Sequence, residues 1–218
     1  MTTTSAADHR QQPVPARPRV VLATENQGKV RELRDLIGDV ADVIDLKPLD
    51  LVLPPETGAT FEENAIAKAR FAAEATGMIA VADDSGLEVD ALGGLPGVRT
   101  ARYAGENATD AENRSKLLSA MREIPDGQRG ARFVSVIAIA KPDGTTVTTE
   151  GTCAGSIAHT ERGTGGFGYD SLFLLESGRT MAEISAAEKN AISHRGAAMR
   201  AASGPLRALL VEKGSSSC

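Results

Sequence analysis

The hexapeptide Val81-Ala82-Asp83-Asp84-Ser85-Gly86 constrains this chain more than any other stretch, because two carboxylates, a hydroxyl and a glycine follow directly on the apolar run Met78 to Ala82. Such a run suits a buried strand, and a glycine permits a turn, so the sequence predicts a strand whose exposed end carries both acids. Successive side chains on a strand point to opposite faces. Asp83 and Asp84 are therefore expected to divide their work, one as a metal ligand and the other as a support or proton acceptor.

At 218 residues the chain is long enough for one domain or two intimate lobes. Tryptophan is absent and aromatics make up 3 %, so the core must rest on Ala, Val, Leu and Ile, and each aromatic is worth locating. Cys153 and Cys218 offer neither a disulfide framework nor a metal knuckle, which suits a reducing, cytoplasmic setting. A formal charge of −5 argues against nucleic-acid binding, and no apolar run is long enough to cross a bilayer. Residues 1–18 are polar, hold three prolines and lack the apolar core of a signal peptide, so they read as a disordered arm; a single domain is expected over 19–213 and a frayed tail over 214–218.

Arg19 to Ala23 reads as a first strand and Thr24 to Lys29 as a turn into a helix bearing Val30, Leu33, Leu36 and Ile37, a place where backbone N–H groups and Lys29 favour an anion. The spacing of a Walker loop is missing. After a strand over 42–46 and the stiff Pro54-Pro55-Glu56-Thr57-Gly58 loop, Thr60 to Glu63 forms a capping box for a helix ending near Thr76, on which Lys68 can face the acids. Leu87 to Leu92 reads as a further strand. Thr109 to Glu112 is a second capping box, for a helix with Leu117, Leu118 and Met121 inward, and Ala131–Ala140 with Thr145–Glu150 reads as a hairpin.

Four glycines surround Phe167 in Arg162 to Asp170, a composition that lets backbone approach a flat ligand: Phe167 would stack on a nucleobase while amides and Asp170 read its edge. Ser185 to Glu188 is a third capping box, followed by Lys189, His194 and Arg195 as hydrogen-bond donors and by a helix over 197–213 bent near Gly204-Pro205. Together these groups suit a nucleoside triphosphate. Glu56 and the acid pair can hold Mg2+, Lys29, Lys68 and Lys189 can neutralise phosphate, and water attack on phosphorus needs no covalent nucleophile.

The same stretches, Thr24-Glu25-Asn26-Gln27-Gly28-Lys29, Glu56-Thr57-Gly58 with Phe61 to Ala69, Ala82 to Leu87, Gly166 to Asp170 and Lys189-Asn190 through Ser193-His194-Arg195, resemble in order and spacing the motifs of the inosine/xanthosine triphosphate pyrophosphatase family. The resemblance implies an elongated mixed α/β sheet with flanking helices and two lobes around a central cleft. It implies a homodimer that hydrolyses ITP, dITP and XTP to monophosphate and pyrophosphate with Mg2+. By matching motif, Glu56 and Asp84 are the metal-associated acids, with Asp84 the proton acceptor and Asp83 beside it as the second catalytic candidate. Thr24, Glu25, Asn26, Gln27, Gly28, Lys29, Lys68, Ser85 and Lys189 would meet triphosphate and sugar. Phe167, Gly168, Tyr169, Asp170, His194 and Arg195 would form the base pocket. Glu25 departs from the family's usual small residue and puts an acid near the triphosphate. The alternatives are a pyrophosphatase for dTTP, UTP or modified pyrimidines, and a nucleotide sensor without turnover.

Overall fold

Alternating apolar runs and amphipathic helices build a six-stranded mixed sheet in the order β2-β1-β3-β4-β5-β6. The computed structural model describes residues 17–212, so the expected frayed tail and nearly all of the expected disordered arm lie outside the described residues. The strands are β1 (Arg19–Leu22), β2 (Asp42–Ile44), β3 (Ala80–Val89), β4 (Gly130–Ala140), β5 (Thr146–Ile157) and β6 (Phe173–Leu174). The α-helices are α1 (Gln27–Ile37), α2 (Phe61–Thr76), α3 (Asp110–Ala120), α4 (Ala186–Ile192) and α5 (His194–Glu212). β1 is parallel to β2 and β3, whereas β4 and β5 extend the sheet antiparallel.

β3 corrects the opening expectation. The strand does not end at Ala82; its ladder with β4 runs unbroken from Ala80↔Ala140 through Asp83↔Ile137 and Gly86↔Val134 to Val89↔Ala131. Both acids therefore sit in mid-strand, in the centre of the sheet, and the strand expected over 87–92 is the second half of the same element. Gly86 makes no turn. It is needed because a Cβ there would lie 2.5 Å from the Gly97 carbonyl oxygen and 2.8 Å from the Phe61 ring. Similarly, β5 continues beyond Glu150 because Gly151 lets α5 lie against it, with the His194 carbonyl oxygen 2.3 Å from where a Cβ would stand.

Three apolar clusters divide β3. Val81 packs with α1 and α5 on one face; Ala80 and Ala82 pack with α2 on the other; Leu87 and Val89 belong to a third cluster with Leu117 and Met121 from the α3 region and Tyr169, Leu172 and Phe173. The first two clusters form one lobe and the third forms the other. Asp83, Asp84, Ser85 and Gly86 belong to none of them, so the polar centre of the strand lies where the two lobes meet.

The capping boxes of α3 and α4 form in full. That of α2 is half made: Thr60 accepts the Glu63 N–H, but the Glu63 carboxylate accepts from Ala59, one residue upstream. α5 starts at His194 and runs through Pro205 without a break. Its buried Ala198, Met199, Ala202, Leu206 and Leu209 hold it in the core, and tertiary packing overrides the local cost of proline.

Candidate active site

Strand geometry sends the two central acids to opposite faces, as expected. Asp83 is fully buried. Its Oδ1 accepts from the Ser135 hydroxyl on β4, and its Oδ2 accepts from Ser85 at 3.0 Å and from Arg195 at 3.0 Å and meets Lys29 at 2.9 Å. Burial opposes its charge, but Arg195 and Lys29 outweigh burial and hold the Asp83 carboxyl well below the ordinary aspartate range. Both oxygens are taken, and Asp83 does not line the cavity. Enclosed in this way, Asp83 is placed as a support for Lys29 and Arg195, and Asp84 is the acid of the pair that opens on the cavity.

Asp84 faces the cleft. Its Oδ1 meets Lys68 at 2.8 Å and its Oδ2 accepts from Asn64 at 3.2 Å. Lys68 also reaches Glu56 Oε1 at 2.7 Å and the Asp83 carbonyl at 3.0 Å. Arg102 secures the other side of Glu56, at 3.3 Å to Oε2 and 3.1 Å to its carbonyl oxygen. Burial raises the Asp84 pKa and the nearby Glu56 charge adds to that rise. For Glu56, burial is outweighed by Lys68 and the pKa falls to about 2. For Lys68, burial is outweighed by Asp84 and Glu56 and the pKa rises, whereas burial lowers that of Lys29. Glu56 is thus drawn towards its ionised form, while burial favours the protonated form of Asp84.

One cavity of about 350 Å³ joins this end to Phe167, Lys189, His194 and Arg195. The Phe167 ring lies on the start of α1, so close that a Cβ on Gly28 would meet it at 2.5 Å. Lys189 Nζ stands 4.9 Å and Arg195 Cζ 5.7 Å from the ring centroid. His194 stacks on Phe133 at 4.7 Å; burial, aided by Arg195, lowers its pKa well below the ordinary value and keeps it neutral. Glu32 links the cations, meeting Lys189 at 2.7 Å and making a short contact with Arg195. Burial would raise its pKa, yet Arg195 and Lys189 bring it down. Among the buried side-chain polar atoms of the described residues, His194 Nδ1 and Arg195 Nε lack a partner.

Several expected contacts are placed differently. Asp170 Oδ2 accepts the Phe167 N–H at 2.9 Å and pairs with Lys189, so this buried carboxylate shapes the loop, where an edge-reading role was expected. Tyr169 donates its hydroxyl to the Thr100 carbonyl at 2.8 Å, an anchor for the same loop. Asn26 caps α1 by accepting the N–H groups of Gly28 and Lys29, so two donors expected to meet an anion already have a partner. Thr24 accepts from the Asn26 N–H at 3.3 Å. Gln27 is exposed and does not line the cavity, and Gly28 lies under Phe167. Glu25 lines the cavity, with its Oε1 accepting from the Leu53 N–H at 3.4 Å.

Glu32, Ser135 and Arg102 escaped the sequence reading as site residues. Glu32 lies three residues after Lys29 and hence on the same helix face, a signal that was available. Ser135 is a lone hydroxyl in an otherwise apolar strand, and a buried hydroxyl demands a partner. Arg102 follows an irregular loop and gave no periodic signal.

The Ham1 family model matches residues 20–204. The chain belongs to the Ham1 family. This Ham1 chain is 52 % identical over 186 residues to a protein named dITP/XTP pyrophosphatase from Photorhabdus laumondii, covering 84 % of the chain and 94 % of the relative. A protein of the same name from Shigella flexneri is 51 % identical over 186 residues, at 84 % and 94 % coverage. The structure of a HAM1 protein from Coxiella burnetii superposes with a TM-score of 0.78 at 44 % identity, covering 87 % of this chain and 98 % of that one. A structure from Mycobacterium abscessus described as nucleoside-triphosphatase / dITP/XTP pyrophosphatase gives 0.68 at 44 % identity, covering 84 % and 97 %. The family resemblance read from the sequence and the mixed α/β fold that it implied for this Ham1 chain both hold.

Proposed function

We propose that the chain hydrolyses non-standard purine nucleoside triphosphates (ITP, dITP and XTP) to the monophosphate and pyrophosphate, as a cytoplasmic Mg2+-dependent homodimer. One observation carries the reading: a single cavity has carboxylates and lysines at one end and an aromatic ring backed by two cations at the other. The names of the relatives from Photorhabdus laumondii and Shigella flexneri point to the same substrates.

The donor set fits a hard divalent cation. Glu56 Oε1 and Asp84 Oδ1 both lie within 3 Å of the Lys68 ammonium, so one positive charge already meets the two oxygens together. No cluster of three or more His, Cys, Asp or Glu suited to a metal occurs among the described residues. Two carboxylates are a donor set of the kind Mg2+ uses, since it takes one or two carboxylates and completes its octahedron with water and phosphate oxygens. When bound by Glu56 and Asp84 it would supply charge neutralisation on phosphate and a more acidic water. Asp84 then serves as the proton acceptor, and Lys68 and Lys29 neutralise the departing pyrophosphate. Phe167 provides the stacking face. Arg195 and His194 line the cavity and supply donors for the C6 oxygen shared by hypoxanthine and xanthine; adenine offers an amino donor there and would leave them unmet.

A panel of nucleoside triphosphates with Mg2+ and product identification tests this. Pyrophosphate release from dITP and XTP, exceeding that from ATP, UTP and dTTP, is expected; orthophosphate as the product would overturn the assigned bond cleavage. Tight dITP binding without turnover would favour the sensor. Sedimentation velocity checks the dimer, and a monomer at micromolar concentration would remove it.

A further inference from the structure

The catalytic reading leaves α3 without a role, yet its Asp110 lies at the edge of the same cavity and its first turns grip the loop that carries Phe167. Gly168 follows Phe167 in a left-handed conformation, φ +59°. Both backbone polar groups of Gly168 go to α3: its N–H donates to Asp110 Oδ2 at 2.7 Å and its carbonyl accepts from Arg114 Nη1 at 2.9 Å. Asp110 and Arg114 are four residues apart on the helix and so share a face. Arg114 Nε also reaches Glu161 at 2.8 Å, and the same Glu161 oxygen accepts from Ser171 at 3.0 Å, which ties the loop on either side of Gly168.

We propose that Asp110 and Arg114 are positioning residues that clamp Gly168, set the plane of Phe167 against the purine and thereby make α3 a determinant of base selection. The segment needs such a clamp because Gly165, Gly166 and Gly168 place few steric limits on the backbone around the ring. Charge-assisted bonds at both backbone groups of one residue remove that freedom. A stacking wall discriminates between bases that differ by one small exocyclic group only when it is held rigidly, because a loose wall moves to accept either. The inference rests on the purine triphosphate reading.

The test compares D110A and R114A with D110N, R114K and E112A. In D110N an amide oxygen can still accept the Gly168 N–H, and R114K keeps a donor for the Gly168 carbonyl. E112A removes the carboxylate half of the capping box of the same helix, leaving the Thr109 cap and making no change in the loop, so it reports a merely structural effect. In D110A and R114A, kcat/KM for XTP is expected to fall roughly tenfold, mostly through KM, as suits the loss of charged hydrogen bonds remote from the phosphorus. The preference for XTP over GTP, which share the ribose and differ at the C2 substituent, should narrow in both variants, recover in D110N and partly in R114K, and stay at the wild-type value in E112A. Hydrogen exchange of the 163–170 segment is read in parallel and should quicken in D110A and R114A alone. An unchanged purine preference in D110A and R114A, or an equal change in E112A, overturns the proposal. If the wild type releases no pyrophosphate from any purine triphosphate, the functional reading fails by itself; exchange then decides the clamp, and unaltered protection in D110A and R114A overturns it.

Discussion

The two faces of β3 at Asp83 and Asp84 carry the same side chain and opposite designs. On the Asp83 face, Ser135, Ser85, Lys29 and Arg195 surround a carboxylate with no exposure, and the charges continue through Glu32 to Lys189 and Asp170. On the Asp84 face, one lysine stands between two carboxylates that open on the cavity. The first arrangement offsets the charge with two cations, Lys29 and Arg195, and gives both oxygens a donor. The second shares one ammonium between the two carboxylates, with Arg102 on the far side of Glu56 and the Asn64 amide on Asp84. Adjacent positions can thus belong to the scaffold and to the chemistry, and the strand's period of two separates them.

The largest test of that asymmetry is D84N, which keeps shape and removes the proton acceptor. Turnover should fall by roughly 10³-fold, within the range of a lost general base, while the thermal midpoint stays near that of the wild type. Turnover close to normal would break the comparison from the catalytic side. D83N should act in the opposite sense, leaving Arg195 and Lys29 buried with a neutral partner and costing about 3–5 kcal/mol of stability. A shifted denaturant midpoint at constant m-value is the expected signature, and wild-type stability would show that the buried network is not structural.

A sharper version uses K68M, which leaves Glu56 and Asp84 facing each other without their shared cation. Stability should drop by about 1–3 kcal/mol and be restored by millimolar Mg2+ more strongly than in the wild type, as read by thermal shift. Equal Mg2+ responses in the two proteins would mean that the two carboxylates do not form one cation site.

The smallest effect concerns pH. His194 is held neutral with a folded pKa well below 6.5, so below that value the unfolded chain takes up a proton that the native state refuses. Stability therefore falls as pH drops through 6.5, by at most about 1.4 kcal/mol per pH unit for one group. Asp83, also depressed, adds loss of the same sign below its ordinary value of 3.8. H194Q should flatten the slope between pH 6.5 and 5 without changing the steeper acid limb. An unchanged slope would show that His194 already titrates normally in the fold.

Much of this was legible in the sequence because short-range rules governed it. Thr109 and Ser185 capped helices as their spacing required, Gly77 ended α2, and the apolar run of β4 declared itself. Alternation along β3 was sufficient to part Asp83 from Asp84. What stayed hidden was decided across space. Gly86 suggests a turn when read locally; only the Gly97 carbonyl and Phe61 packed against it explain the glycine. Asp170 reads locally as a ligand group, and only the fold shows that its Oδ2 also holds Lys189 and the Phe167 N–H. Arg102 belongs to an ion pair with Glu56, far away in the chain, and no local period announces it; Glu32 shares a helix face with Lys29, but its partners Lys189 and Arg195 are likewise distant.

The contact between Gly28 and Phe167 has a consequence for how such a chain can evolve. With the ring lying where a methyl group at position 28 would stand, the sizes of the two residues are bounded jointly. Any lineage that gains a side chain at 28 must first shrink or displace the aromatic at 167, and one that enlarges the aromatic must keep position 28 bare. Two sites at opposite ends of the primary structure are thereby made to drift as one.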